Sequence, residues 1–278
     1  MTHTVLVPSS LVREAESKRD ATQKVGQIAR AATVYRVDRL VVYPDRDGER
    51  GRFEDGFVAT VLRYATTPPY LRKEAWGVRD ELEYAGVLPP LRVSSQTGSG
   101  PERSGSLTQG IVTEVGPEDR VRVTCGMQHP ISLHAPGRAL SEGERVVIRV
   151  SSREPVRARI VDEAPPGPAV REQDLSAALG AADAGLRIAA SRHGSPLTVG
   201  QLAGLPGPDG DFTVAFGAPE RGLPAILDLP VEAVSAGEST GGFDRWLNTV
   251  PNQGSEVVRT EEAVFATLSP LTLPQEEK

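Results

Sequence analysis

The sequence predicts an α/β host domain built on a parallel sheet and interrupted by a small all-β barrel. Three observations carry that prediction. Short β-branched runs alternate with stretches of helical periodicity toward both ends of the chain, the βαβ rhythm of a parallel sheet. In the middle the apolar period switches to two, as in half-buried antiparallel strands. Two connectors bracket the switch, SSQTGSGPERSGS at 94–106 and APPGP at 164–168, as expected of a domain inserted at an exposed loop. The expected boundaries are a host at 1–93 and 166–278 and a barrel at 94–165.

The host elements follow in order. Thr4–Val7 is a short apolar strand closed by Pro8-Ser9-Ser10. Between Leu11 and Ala32, Val25, Ile28, Ala29 and Ala32 recur at three and four residues, one buried helix face. Val37–Tyr43 is β-branched, stopped by Pro44, and reads as a buried parallel strand. Phe57–Tyr64 is helical and is broken by Pro68-Pro69. In the barrel, Val121, Val123 and Cys125 alternate with Arg122 and Thr124, and Val146, Ile148 and Val150 with Val147 and Arg149. The host resumes with strands at Leu186–Ala190, at Phe212–Phe216 and around Trp246-Leu247. A terminal helix opens at Thr260-Glu261-Glu262, with Thr260 as cap and two glutamates at the positive end of its dipole.

Composition bounds the function. Hydrophobic residues at 38% and charged residues at 24% of 278 allow a packed core and exclude wholesale disorder. No apolar run reaches the ~18 residues of a membrane-spanning helix. No basic segment precedes an apolar stretch at the start, so a cytoplasmic protein is expected. The single cysteine, Cys125, excludes an intrachain disulfide framework and a Cys-rich zinc site. His3, His129, His134 and His193 share no metal-ligand spacing, and no metal is expected. Net charge is −6, yet only four of the 31 basic residues are lysine. Codon bias or a salt-rich cytoplasm is the plainest account of that excess, but arginine is also the better fork for phosphate and guanine.

Three strand ends in the last third empty into small polar loops: Ser191-Arg192-His193-Gly194, Gly217–Gly222 and Asn248–Glu256. Ligands of open α/β sheets sit at the carboxyl ends of strands, so the pattern fits a nucleoside-type cofactor. No nucleophile elbow, phosphate-binding P-loop or dinucleotide fingerprint is present. Ordinary connecting turns are the competing reading of the same loops.

The stretch Asn248–Ala263, NTVPNQGSEVVRTEEA, resembles the C-terminal signature of SPOUT-class RNA methyltransferases, nearest to the RNA uridine N3-methyltransferases that carry a β-barrel insertion. The stretches LVPSSLVR at 6–13, GQIARAA at 26–32, YRVD at 35–38, TTPPYLRK at 66–73, YAGVLPPLR at 84–92 and SRHG at 191–194 resemble the same group in the same order. The likeness is weak over 94–165.

That resemblance implies a trefoil-knotted SPOUT domain with an OB-like barrel inserted. It also implies S-adenosylmethionine as cofactor, RNA, in particular ribosomal RNA, as substrate, and a homodimer whose site lies across the interface. Carried onto this chain, Arg192, Phe216, Gly217, Ala218, Pro219, Gly222, Asn248, Thr249, Val250, Asn252, Gln253, Gly254 and Thr260 would lie along the cofactor. Arg192 and Arg259 are the expected catalytic arginines, because N3 of uridine must lose a proton and its anion needs a cation. Arg30, Arg36 and Arg72 are expected to bind RNA, and Arg13 and Arg221 are further candidates for stabilising the anion. His193 is a possible proton acceptor, although a hydrogen-bonded structural histidine is the stronger reading.

Residues 91–165 hold ten arginines against nine acidic residues, leaving 21 basic and 28 acidic for the rest, so the barrel is less acidic than its host. No aromatic residue occurs between Tyr84 and Phe212. The barrel therefore reads as a module that contacts an RNA backbone or braces the assembly, not as a base-stacking platform. A non-catalytic RNA-binding or ribosome-assembly protein on the same fold is the alternative to the enzyme.

Overall fold

The computed structural model describes residues 1–48, 53, 56–93, 107–235 and 239–274; the first connector, 94–106, lies outside them. The strands are β1 (His3–Pro8), β2 (Arg39–Tyr43), β3 (Leu107–Val115), β4 (Arg120–Thr124), β5 (Ile131–His134), β6 (Arg145–Arg153), β7 (Val156–Val161), β8 (Ala169–Glu172), β9 (Leu186–Pro196), β10 (Phe212–Phe216) and β11 (Arg245–Asn248). The helices are α1 (Lys18–Val34), α2 (Phe57–Thr66), α3 (Pro69–Trp76), α4 (Leu175–Leu179), α5 (Leu223–Ile226), α6 (Val231–Ser235) and α7 (Thr260–Leu271). They form two compact units, one of residues 1–66, 81–91 and 167–278, the other of 67–80 and 92–166.

The first unit is an α/β layer structure. Its sheet runs β11-β9-β10-β1-β2-β8, parallel throughout. Strand alternation divides the core cleanly. Val5, Val7, Leu40, Val42, Ile188, Val214 and Phe216 face one cluster with residues of α1, α2 and α7. Leu6, Val41, Tyr43, Ala189, Ala215 and Trp246 face the other, against residues of α4, α5 and α6. With helices on both faces, strands such as β1 are buried along their whole length. The chain order reverses at β1, which has β2 on one side and β10 on the other, the switch point at which open α/β sheets bind ligands.

Several local expectations shift. The helical pattern traced from Leu11 resolves into a 3-10 turn at Ser9–Val12 and an α-helix that starts only at Lys18. There the Ser17 side chain accepts from the Asp20 N–H as a true N-cap. Strand β8, parallel to β2 at the sheet edge, has no counterpart in the sequence reading. The N-cap of α7 is Arg259, not Thr260, with Glu262 Oε2 accepting the Arg259 N–H at 2.8 Å.

The second unit is an antiparallel sheet, β5-β4-β3-β6-β7. Val112, Val121, Val123, Cys125, Leu133, Val146, Ile148 and Val150 form its core. Irregularities at Val112/Glu114 and Val150/Ser152 coil it, and the end strands β5 and β7 come near each other without pairing, so the sheet is nearly closed. Residues 67–80, expected with the host, group here instead. Tyr70 of α3 explains why: its hydroxyl donates to the Gln109 carbonyl at 3.2 Å, and its ring lies where a Cβ on Gly126 would fall, 2.9 Å away.

Candidate functional site

The carboxyl ends of β9, β10 and β11 and the start of α7 enclose one cleft of ≈ 380 Å³. Each wall has its own local cause. In β9, Ala189 pairs with Trp246, yet the next β11 residue, Leu247, pairs with Ser195. Residues 190–194 thus have no partner on β11, although Ala190 still pairs with Phe216 of β10, and they carry Ser191, Arg192 and His193 into the cleft wall. Gly194 closes that excursion against the β11 backbone. A Cβ there would sit 2.6 Å from Leu247 N, so only glycine lets the two backbones approach.

The second wall is the turn after β10. Ala218 and Arg221 exchange backbone hydrogen bonds of 3.0 and 3.2 Å, and Glu220 takes a left-handed φ of +59°. Gly217 at its base is required by packing, since a Cβ would lie 2.6 Å from Leu223 N and 2.7 Å from Gly222 Cα. The buried Tyr43 hydroxyl donates to the Phe216 carbonyl at 2.6 Å, and burial raises its pKa well above the ordinary value, so it stays a donor.

The third wall, after β11, is tied to the other two. Asn248 Nδ2 donates to the Arg192 carbonyl at 3.2 Å, and its Oδ1 accepts from the Val250 N–H at 3.0 Å. Gln253 Nε2 donates to the carbonyls of Ser255 and Glu256, at 2.9 and 3.1 Å. Thr260 Oγ1 donates to the Gly217 carbonyl at 3.2 Å, linking α7 to the β10 turn.

The cleft therefore collects Arg192, Phe216, Gly217, Ala218, Pro219, Gly222, Asn248, Thr249, Val250, Gln253 and Thr260. Asn252, Gly254 and Arg259 lie outside its lining. Val257 and Val258, inside the Asn252–Thr260 segment that the resemblance lays along the cofactor, also line it, as does Ala263, which lies beyond that segment. Arg192 is exposed, and its Nε donates to His193 Nε2 at 3.2 Å. Burial first, then the Arg192 charge, lower the His193 pKa below its ordinary 6.5. A neutral imidazole beside a guanidinium is the arrangement at neutral pH.

Each of the three arginines expected on RNA has its own surroundings. Arg30 Nη1 donates to the Leu91 and Pro90 carbonyls at 2.7 and 3.2 Å, clamping the 90–91 segment onto α1. Arg36 is exposed in the left-handed turn after α1. Arg72, in the other unit, donates from Nε to the Thr67 carbonyl at 3.0 Å. Arg13 is half-buried after the first 3-10 turn, and Arg221 is engaged with Asp45. Among the described residues there is no cluster suited to a metal ion and no helix long and apolar enough to cross a membrane.

A family model described as "Putative RNA methyltransferase" matches residues 2–271. A protein of Haloarcula marismortui is 66% identical, and one of Halobacterium salinarum 64%, each over 99% of this chain and the whole of its own length. The human 28S rRNA (uridine-N(3))-methyltransferase is 28% identical over 97% of this chain and 77% of its own.

Proposed function

The chain belongs to this RNA methyltransferase family, and from that premise we propose that it methylates N3 of a uridine in ribosomal RNA, using S-adenosylmethionine. The observation that carries the proposal is the convergence of three strand-end loops and a helix start on one cleft at the carboxyl ends of β9, β10 and β11. The name of the human relative supplies the atom and the class of RNA.

The lining suits the cofactor's chemistry. Val250, Val257, Val258, Leu223 and Ala263 offer apolar surface for a purine, and Gly217, Ala218 and Gly222 expose backbone polar groups. Asn248, Gln253, Glu256 and Arg192 supply the acceptors and donors that a ribose and an amino acid group need. When bound, S-adenosylmethionine supplies an electrophilic methyl group on a sulfonium. The protein's own task is at the uridine: N3–H must give up its proton before the N–C bond forms. Arg192, exposed at the cleft, stabilises the negative charge that then develops on the ring. His193, kept neutral, can take that proton at Nε2 once the Arg192 Nε–H that donates there turns to the uridine ring.

The same reading includes the trefoil knot, a cytoplasmic homodimer with a shared site, and Asn252, Gly254 and Arg259 brought to the site only in the loaded assembly. The resemblance of Asn248–Ala263 to the SPOUT C-terminal signature is what supports the knot. Calorimetric titration with S-adenosylmethionine, followed by mapping of N3-methyluridine in ribosomal RNA from cells with and without the protein, tests the proposal. Micromolar binding and loss of one modified uridine are expected. A folded protein that binds no S-adenosylmethionine is a non-catalytic RNA-binding or assembly factor instead.

A further inference from the structure

The antiparallel unit has a second groove. Strands β5 and β7 are the two ends of its sheet, and a groove of ≈ 440 Å³ is lined by both and by β6. Its charged lining is Arg149, Arg157 and Arg159, joined by the hydroxyls of Ser132 and Ser151. No carboxylate and no aromatic ring belongs to the lining among the described residues.

The cations are placed against their own stability. Arg149 on β6 and Arg159 on β7 are direct cross-strand partners, on the face opposite the Ile148 and Ile160 pair that meets the core. Like charges directly opposed across an antiparallel pair are destabilising. Arg157 stands two residues from Arg159 and on the same side of β7. The Arg149 Nε–H is buried and meets no acceptor among the described residues. Its ion pair with Glu163 spans 3.7 Å, too long for a hydrogen bond. Three guanidiniums with unspent donors, beside two sheet edges, lack only an anion.

We propose that this groove binds the phosphodiester backbone of an RNA strand, apart from the methyl-transfer cleft; the inference rests on the reading that the substrate is RNA. Spaced phosphates would relieve the Arg149–Arg159 repulsion, and the absence of aromatic lining means that contact is to backbone and not by base stacking. A peptide strand added to the β5 or β7 edge is the competing occupant, and nothing in the lining matches three cations to a neutral backbone.

The test is fluorescence anisotropy of the full chain with a short labelled single-stranded RNA over a series of salt concentrations. Each lost phosphate contact should reduce the log–log salt slope by about 0.7. The triple variant Arg149→Gln, Arg157→Gln, Arg159→Gln should therefore lose about 2 in slope and bind more weakly at low salt. The double variant Arg157→Gln, Arg159→Gln alters only exposed side chains and should lose about 1.4. Lysine at all three positions should keep the slope, because phosphate responds to point charge. Wild-type slope and affinity in the folded double variant would overturn the groove, and a retained S-adenosylmethionine titration in that variant would leave the methyltransferase reading standing. Absence of any RNA binding by the wild-type chain would overturn both.

Discussion

Asp45, just beyond β2, holds Arg221 in the turn beyond β10: Arg221 Nε donates to Oδ1 at 3.0 Å and to Oδ2 at 3.2 Å. The carboxylate side chain is only 2% exposed. Ser10 Oγ donates to Oδ2 at 2.5 Å, and the Asp45 N–H donates to Ser9 Oγ at 2.9 Å. The ends of two central strands thus grip the cleft turn from behind. Asp45→Ala strips Arg221 of its fork and leaves a half-buried cation, a loss of about 3 kcal/mol for a pair broken on one side. Thermal unfolding should show that loss, and S-adenosylmethionine affinity should fall with it because Gly217–Gly222 is no longer pinned. Unchanged affinity in the variant would mean that the turn keeps its shape unaided.

Gly217 and Gly254 should respond differently to substitution. A Cβ at Gly217 runs into the Gly222–Leu223 backbone, which cannot yield as a flexible side chain would. Gly217→Ala should therefore destabilise by about 1–3 kcal/mol before any ligand is present. At Gly254 a Cβ meets nothing within 4 Å, so Gly254→Ala should stay within about 0.5 kcal/mol of wild type. Melting temperatures of the two variants decide the matter. A stable Gly217→Ala would contradict the packing described for the turn.

His193 gives the cleft a pH response. Its folded pKa is lowered, so between that value and the ordinary 6.5 the unfolded chain carries a proton that the folded chain refuses. The stability associated with neutral His193 is complete above 6.5 and declines as pH falls toward its folded pKa. Arg192→Ala removes the smaller of the two causes, while burial persists. Proton NMR of the imidazole should show its titration moving upward in the variant, though still short of 6.5. A titration unmoved by Arg192→Ala would mean that the guanidinium charge does not reach the ring.

Much of this was legible in the sequence where local pattern and tertiary role coincide. Thr4–Val7 and Phe212–Phe216 read as near-continuous apolar runs because the sheet is covered on both faces, and the three polar loops mark the strand ends that line the cleft. Other features depend on distant pairing. Nothing around Arg192 announces that Ser195 will resume the ladder at Leu247, because that register is set by a strand more than 50 residues away. Arg30 reads as a free cation until the Leu91 carbonyl arrives beside it. The segment 69–76 reads with the host because it is contiguous with it, whereas Tyr70 finds its partner at Gln109. Arg149 and Arg159 read as two surface charges until β6 and β7 set them face to face.

The pair that precedes the β9 excursion makes the last prediction. Arg187 of β9 donates from Nε to Asp244 Oδ2 at 2.9 Å, and from its backbone N–H to the same oxygen at 2.8 Å. Its Nη2 meets Oδ1, completing a fork across the β9–β11 seam just before residues 190–194 leave the ladder. The Arg187 hydrogen bond is the main reason that the Asp244 pKa lies below its ordinary 3.8. Stability from this carboxylate is therefore present above 3.8 and is lost as pH falls through its lowered value. Because both side chains are about one-third exposed, Asp244→Asn should cost only about 1 kcal/mol at neutral pH. It should also flatten the fall of melting temperature in acid. Since the fork anchors β11 beside the cleft, the variant should bind S-adenosylmethionine more weakly at neutral pH. Full affinity together with a lower melting temperature would show that the Asn248–Arg192 bond alone fixes the wall.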